Sequence, residues 1–215
     1  MSLYADDLLI YVRDIRTVPN TIAQILDEFA NISGLRVNWA KSCLFPFSPT
    51  VQNPILQING EAVAWQPRMF RYLGIRIYHS SADLFDGNIT RTLSSLRGQI
   101  QFWKTLPITV AGRVALVKMF MLPRLLYYFA NLPLVVPRAF FRLLEVLTRE
   151  LIWHGTRCRI ALAKLYLTTD RRGLAVSNFE YYYLASQMQW IARWMARRQL
   201  IDTAMLDRPW TQVSL

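Results

Sequence analysis

Cysteine is scarce in this sequence: Cys43 and Cys158 stand 115 positions apart, with no CxxC pair and no Cys/His cluster. That argues against a disulfide framework or a Cys/His zinc site, and two reduced core thiols are the expectation. A secretory leader is also missing from the opening residues, where the carboxylates Asp6 and Asp7 arrive before any basic or sustained apolar region. An intracellular chain, cytoplasmic or nuclear, is therefore expected. Long apolar runs are absent too. The most apolar stretch, Val114 to Pro137, is broken by Lys118, Pro123, Arg124 and Pro133. It reads as buried helix and turn, because a bilayer-spanning helix needs about 20 nearly clean apolar residues. No internal repeat or low-complexity stretch occurs. What is there is 215 residues at 53% apolar, enough to build one sizeable domain or two small ones.

The formal charge of +11 is unevenly spread. Residues 1 to 87 hold 7 Lys/Arg against 8 Asp/Glu, a net of −1, and residues 88 to 215 hold 18 against 6, a net of +12. An acidic-tipped region followed by a basic helical one suits a metal-dependent nucleic-acid enzyme that grips phosphates with its second part. A merely solubilising surface would give the same totals.

Leu3 to Tyr11 carries β-favouring residues around the acid pair, which falls where two short strands can meet in a hairpin turn; the return strand is Leu8 to Val12. From about Val18 to Ser33, Ile22, Ile25, Leu26, Phe29 and Ile32 follow one helix face, and Gly34 supplies a stop. Leu35, Val37 and Trp39 alternate with Arg36 and Asn38, which predicts a strand over 35–39. Ser48 to Pro67 reads mostly as loop, with a short strand near Ile55 to Ile58. Phe70 to Tyr78 is β-rich around Gly74, a bent or closely approached strand.

Beyond residue 87 the pattern turns helical. Ile89, Leu93, Leu96, Ile100 and Trp103 make one stripe, Pro107 interrupts it, and Val110 to Leu122 forms a helix predicted to stop at Pro123. Another helix runs from about Arg138 to His154. Arg157 to Leu167 has β-like content, Asp170 to Gly173 is a turn, and Tyr181 to Gln199 is a long aromatic helix.

Chemistry concentrates at YADDLLIY, Tyr4 to Tyr11. A hairpin tip can offer two carboxylates to Mg²⁺, a hard ion that prefers oxygen ligands. In two-metal phosphoryl transfer one ion activates the attacking 3′ hydroxyl and the other steadies the leaving pyrophosphate, so carboxylates must converge from more than one strand. Neighbouring residues on a strand point oppositely, and a lone DD rarely completes such a site.

This box resembles motif C of reverse transcriptases, and the residues after it resemble the LINE-type, non-LTR retrotransposon members of that family, so that the resemblance covers nearly the whole chain. GLRVNWAKS, Gly34 to Ser42, resembles motif D, where a helix-turn-strand ends in a lysine near the incoming triphosphate. Lys41 is the matching residue, and the resemblance implies that it neutralises phosphate charge or protonates pyrophosphate. FRYLGIRI, Phe70 to Ile77, resembles the primer-grip box. The resemblance implies that Phe70, Arg71, Tyr72, Leu73 and Gly74 press on the primer's 3′ end, with Gly74 permitting the close approach. Arg71 and Arg76 are then candidate phosphate contacts.

LPITVAGRVALVKMFMLPRLLYYFANLPLVVP resembles the thumb at Gly112, Arg113, Lys118, Leu122, Pro123, Leu126 and Tyr127. By that resemblance Arg97, Arg113 and Lys118 would track the backbone of an A-form RNA/DNA hybrid. The segment from Trp153 to Trp194 resembles the connector after the thumb. Arg172-Gly173-Leu174 and Ser177-Asn178 stand where the family often has Gly-Gly-Leu and Pro-Asn, which marks a diverged copy.

The resemblance implies an α+β fold: a partial palm of short antiparallel strands plus a helix over 1–87, a mainly α-helical thumb over 88–155, and a connector over 156–215. It implies an RNA-directed DNA polymerase using Mg²⁺, or Mn²⁺ in its place, with RNA template, DNA primer and deoxynucleotide triphosphate as partners. Asp6 and Asp7 would be metal ligands and, with Lys41, catalytic; no membrane partner and no particular oligomeric state follow. Only Met1 to Leu3 precede the box, so the fingers and the motif A aspartate are expected to be missing and the chain inactive alone. Two other readings stand beside this one: a basic nucleic-acid-binding module without chemistry, and a non-functional pseudogene product.

Overall fold

The computed structural model describes residues 2–13, 18–47, 57–58 and 61–198, and the chain divides after Asn88 into two units. It is a mixed helix and strand protein. In the first unit, β1 (Ser2–Tyr4) and β2 (Asp7–Leu9) pair antiparallel with Tyr4 opposite Asp7, leaving Ala5 and Asp6 as a two-residue turn. Helix α1 (Val18–Ser33) ends at Gly34, whose N–H makes the last helical bond to the Ala30 carbonyl at 2.9 Å and whose left-handed φ of +76° then turns the chain out of the helix.

The buried side of α1 is not the one its large residues mark. Ala23 and Ala30 are buried, whereas Ile25, Phe29 and Ile32 are exposed, Ile32 at 89%. Ala23 packs with Ile58 and Val63, and half-buried Trp39 and Leu44 lie against them. A methyl group lets the helix come close to such short strands, and these strands are too small to cover a full aliphatic stripe as well.

The expected strand at 35–39 does not form. Asn38 caps a tight turn at Trp39–Lys41, its Oδ1 accepting from the Lys41 N–H at 3.1 Å. Such local side-chain bonds compete with a strand ladder. Four short strands follow: β3 (Cys43–Leu44), β4 (Gln57–Ile58), β5 (Glu61–Ala62) and β6 (Ala64–Trp65). β3 pairs parallel with β6, and β4 antiparallel with β5; residues 55–56 of the expected strand lie outside the described residues. Phe70 to Tyr78 is a hairpin, β7 (Met69–Tyr72) and β8 (Ile75–Tyr78), turning at Leu73 and Gly74. Helix α2 (Ser81–Phe85), capped by the Ser80 hydroxyl, then leads into a wide turn at Asp86–Thr90.

The second unit is helical: α3 (Arg91–Lys104), α4 (Val110–Leu116), α5 (Leu122–Asn131), α6 (Arg138–Ile152), α7 (Leu162–Tyr166) and α8 (Phe179–Arg198). The expected stripe on α3 is buried at Leu93, Leu96, Ile100 and Trp103. The expected stop at Pro123 does not occur. Between α4 and α5 a wide turn at Val117–Met121 sends the Leu122 N–H to the Val117 carbonyl, five residues back. Pro123 thus falls in the first turn of α5, where a missing N–H is tolerated.

The segment expected to be β-like, 157–167, instead holds α7, whose Leu162 and Leu165 pack with Val114, Ile152 and Val176. Leucines three apart share one face of a helical turn, whereas on a strand they would point to opposite sides. The chain then turns back, Val176 N–H donating to the Leu165 carbonyl at 2.9 Å and Ala175 N–H to the Leu167 carbonyl at 2.8 Å. Gly173 is obligatory here, since a Cβ would run into the Leu167 carbonyl.

Asn178 caps α8, its Oδ1 accepting from the Tyr181 N–H at 3.2 Å. The helix docks on α5 by supplying donors to carbonyls that a helix end leaves free. Phe129 O accepts from Ser186 Oγ at 3.2 Å and Gln187 Nε2 at 2.7 Å, and Ala130 O from Trp190 Nε1 at 2.7 Å. Neither cysteine is a core residue: both Cys43 and Cys158 are free and exposed. Among the described residues no helix is long and apolar enough to cross a membrane.

One contact ties the ends of α3 and α6. Lys104 Nζ lies 2.8 Å from Glu150 Oε1, with Gln101 Nε2 donating to the same oxygen at 3.1 Å. The hydrogen bond from Lys104, then that from Gln101, holds the Glu150 carboxyl below its ordinary 4.5, against the effect of burial. A folded-state value below the unfolded one stabilises above the unfolded value, and the contribution is lost as pH falls through the folded one. Glu150→Gln should therefore flatten the acid limb of a thermal-stability profile below about pH 4.5, by at most about 1 kcal/mol for so accessible a pair. An unchanged limb would remove Glu150 as its cause.

Candidate functional site

Asp6 lies in the turn of the β1–β2 hairpin and Asp7 opens its return strand, both exposed. Ala5 takes a left-handed φ of +51°. A two-residue hairpin turn needs positive φ, and a residue bearing a Cβ holds it only under strain. The turn thereby lifts a carboxylate at the tip without a glycine beside it.

Lys41 closes the turn at Trp39–Lys41 and is exposed; it forms no ion pair with Asp6 or Asp7 among the described residues. Neither do the described residues supply a group of three or more His, Cys, Asp or Glu side chains that could hold a metal ion. The oxygen donors of the acid pair suit Mg²⁺ in kind and fall short in number of what two ions need.

Phe70, Arg71, Tyr72, Leu73 and Gly74 come together on β7 and its turn. Leu73 at φ +46° and Gly74 at φ +81° make both turn positions left-handed, the geometry that matches the twist of two strands. A leucine at such a position is costly. Arg71 stands directly opposite Arg76 across the hairpin. Like charges facing across a strand pair repel, and an anion lying over both would relieve that. Arg71 is exposed; Arg76 Nη1 donates to the Gly87 carbonyl at 3.4 Å.

Asn88, with no signal in the sequence pattern, fixes this hairpin. It is buried at 1% exposure, its Oδ1 accepts from the Arg76 N–H at 2.9 Å, and its Nδ2 donates to the Arg76 carbonyl at 2.7 Å and the Leu84 carbonyl at 2.9 Å. One side chain thus completes the free edge of β8 as a neighbouring strand would. Aromatic rings join the two hairpin regions. Tyr11 meets Phe47 at 5.9 Å between centroids, and Phe45 meets Phe47 at 6.3 Å, Phe70 at 4.8 Å and His79 at 4.4 Å. Tyr11 and Phe47 keep exposed faces on which a base could stack. The FPF sequence at Phe45–Phe47 was the available clue.

In the second unit Arg97 on α3 and Lys118 in the wide turn after α4 are exposed. Arg113 differs: it is half-buried and Nη1 donates to the Ile152 carbonyl at 3.1 Å, capping the end of α6, while its Nε is buried with no hydrogen-bond partner among the described residues. Cations are favourable at a helix C-terminus. That use commits Arg113 to packing. No protein-family model matches the chain.

Proposed function

We propose that this chain carries the YADD-to-connector part of a LINE-type reverse transcriptase, partial palm followed by helical thumb and connector, with RNA template, DNA primer and their hybrid as partners. The observation that carries the reading is the β1–β2 hairpin, with Asp6 in its turn, Asp7 heading the return strand, and both carboxylates open to solvent. The facing Arg71 and Arg76, exposed Lys41, and the open rings of Tyr11 and Phe47 add phosphate and base contacts of the kind a primer terminus needs.

Nucleotide addition calls for a further carboxylate converging on the pair. The chain by itself should show no primer extension with Mg²⁺ or Mn²⁺; extension that Asp6→Ala abolishes would overturn the inactive reading. Binding tests the family reading. An RNA/DNA hybrid should bind with strong salt dependence, and Arg71→Ala should weaken it and lower the salt slope by about one phosphate contact. Binding indifferent to Arg71 would remove the primer-grip assignment.

A second reading, a basic module that holds nucleic acid without chemistry, is favoured by the net +12 of residues 88 to 215 and by exposed Arg97 and Lys118. Affinity that ignores Asp6→Ala and Arg71→Ala but falls with Arg97→Ala and Lys118→Ala would select it. Arg113 is the wrong probe, because removing it also uncaps α6.

A further inference from the structure

The loop between α6 and α7 is closed at its base and basic at its tip. Ile152, the last residue of α6, and Leu162, the first of α7, are both buried in one cluster with Val114, Leu165 and Val176. The chain leaves α6 through two left-handed residues, His154 at φ +55° and Gly155 at φ +73°. Thr156 then returns to the Trp153 carbonyl with both its N–H, at 2.9 Å, and its hydroxyl, at 2.5 Å. At the far end the Ala161 carbonyl accepts from the Lys164 N–H at 2.9 Å and the Leu165 N–H at 3.3 Å. Between these anchors Thr156, Arg157, Cys158 and Arg159 line an open cavity of about 570 Å³.

The charge around this cavity is all of one sign. From Leu151 to Thr169 the sequence has Arg157, Arg159 and Lys164 and no Asp or Glu. Glu150, the last acid before the loop, is engaged by Lys104 at 2.8 Å. Arg157 and Arg159 are exposed, and neither forms an ion pair among the described residues. The carbonyl end of α6 would repel an anion, but the Arg113 guanidinium on the Ile152 carbonyl offsets it. Two residues of chain keep the Arg157 and Arg159 Cα atoms within about 7 Å of each other. Guanidiniums that line one cavity from so short a span can close on a single anion, and their parallel N–H donors fit phosphate oxygens two at a time.

We propose that Arg157 and Arg159 form a phosphate-binding site on this closed loop, and that its occupant is a phosphodiester of a nucleic-acid strand. The net +12 of residues 88 to 215 favours a polyanion over an isolated phosphate. The choice of a strand rests on the nucleic-acid reading of the chain; the phosphate site does not.

Cys158, exposed between the two arginines, reports on the site. In the full chain carrying Cys43→Ser it is the only thiol. Its thiolate attacks an aromatic disulfide, forming a mixed disulfide and releasing one coloured aryl thiolate. Rates are compared for a dianionic reagent, dithiobis(nitrobenzoate), and a neutral one, dithiodipyridine, so that their ratio cancels any change in the thiol itself. Arg157→Gln and Arg159→Gln should each lower the ratio about threefold, the effect of one charge at roughly 7 Å under partial screening. An unchanged rate with the neutral reagent shows that the loop is still folded. Pyrophosphate at about 1 mM should slow the dianionic reagent about threefold more than sodium chloride of equal ionic strength. A short single-stranded RNA should protect at about 10 μM, and the Arg157→Gln, Arg159→Gln double variant should lower its salt slope by roughly 1.4, two phosphate contacts on a single strand.

A ratio indifferent to both arginines, or chloride protecting as well as pyrophosphate, would overturn the phosphate site. Protection by pyrophosphate but not by RNA would overturn the strand as its occupant and assign the site to free phosphate. RNA bound with its full salt slope by the double variant would leave the nucleic-acid reading intact and remove this loop from it.

Discussion

Asn88→Ala should lower the stability of the first unit by about 3 kcal/mol and speed amide exchange along β8. Three hydrogen bonds end on this one buried side chain. Each contributes about 1 kcal/mol net, and removing the side chain also strands the Arg76 N–H and the Arg76 and Leu84 carbonyls, at about 1–3 kcal/mol for any that water does not reach. Asn88→Asp separates donor from acceptor. It can still accept from Arg76 but offers two carbonyls an anion instead of an N–H, so it should be no better than alanine. Hydrogen exchange followed by mass spectrometry on 75–78, with a urea titration, reads both effects; wild-type protection in Asn88→Ala would mean that the hairpin stands without its clamp.

Phe129→Ala should cost about 3–5 kcal/mol in the second unit, the range for emptying a buried aromatic site. Phe129 is 1% exposed, and its ring lies 6.1 Å from Phe141 and 5.4 Å from Tyr183. Its carbonyl also receives Ser186 and Gln187, so the cavity opens at the seat of α8. Loss of the Tyr183 contact should free that helix first, seen as protease cleavage between Val176 and Arg193 before global unfolding. Phe129→Leu, which keeps most of the volume, should cost less than half as much. Equal urea midpoints for Phe129→Ala and wild type would show that the site is not the anchor proposed.

The sequence pattern was most legible where a period and a terminator agreed. Helix α1 ended at Gly34, and the stripe from Leu93 to Trp103 was the buried face of α3. It was least legible where a local choice depended on distant partners. Which side of α1 is buried turned on the small strands carrying Ile58 and Val63, and these favour Ala23 over Phe29. Alternation at 35–39 marked a strand, but Asn38 had a nearer use for its carboxamide. At 157–167 the β-favouring composition hid the three-residue spacing of Leu162 and Leu165, which one helical turn brings together against Val114 and Ile152.

The candidate site divides in the same way. Asp6, Asp7 and Phe70 to Gly74 were marked by contiguous motifs, so their grouping on two hairpins could be anticipated. Asn88 and the ring contacts of Phe45 join residues far apart in the chain and leave no periodic trace. An arginine among helical apolar residues looked like a phosphate ligand in Arg113 as in Arg97. Only the position of the Ile152 carbonyl separates them.

The wide turn at Val117–Met121 also sets the phase of everything after it. Val114, Val117, Met121, Leu125 and Phe129 are all buried, and after the first step they recur every fourth residue. In a regular helix at about 100° per residue, three such steps would carry the row about 120° around the axis and turn Phe129 towards water. Spending one extra residue in the i to i+5 turn cancels roughly 100° of that precession. The bulge is thus a phase correction, which lets a row spaced too widely for an α-helix stay aimed at one core.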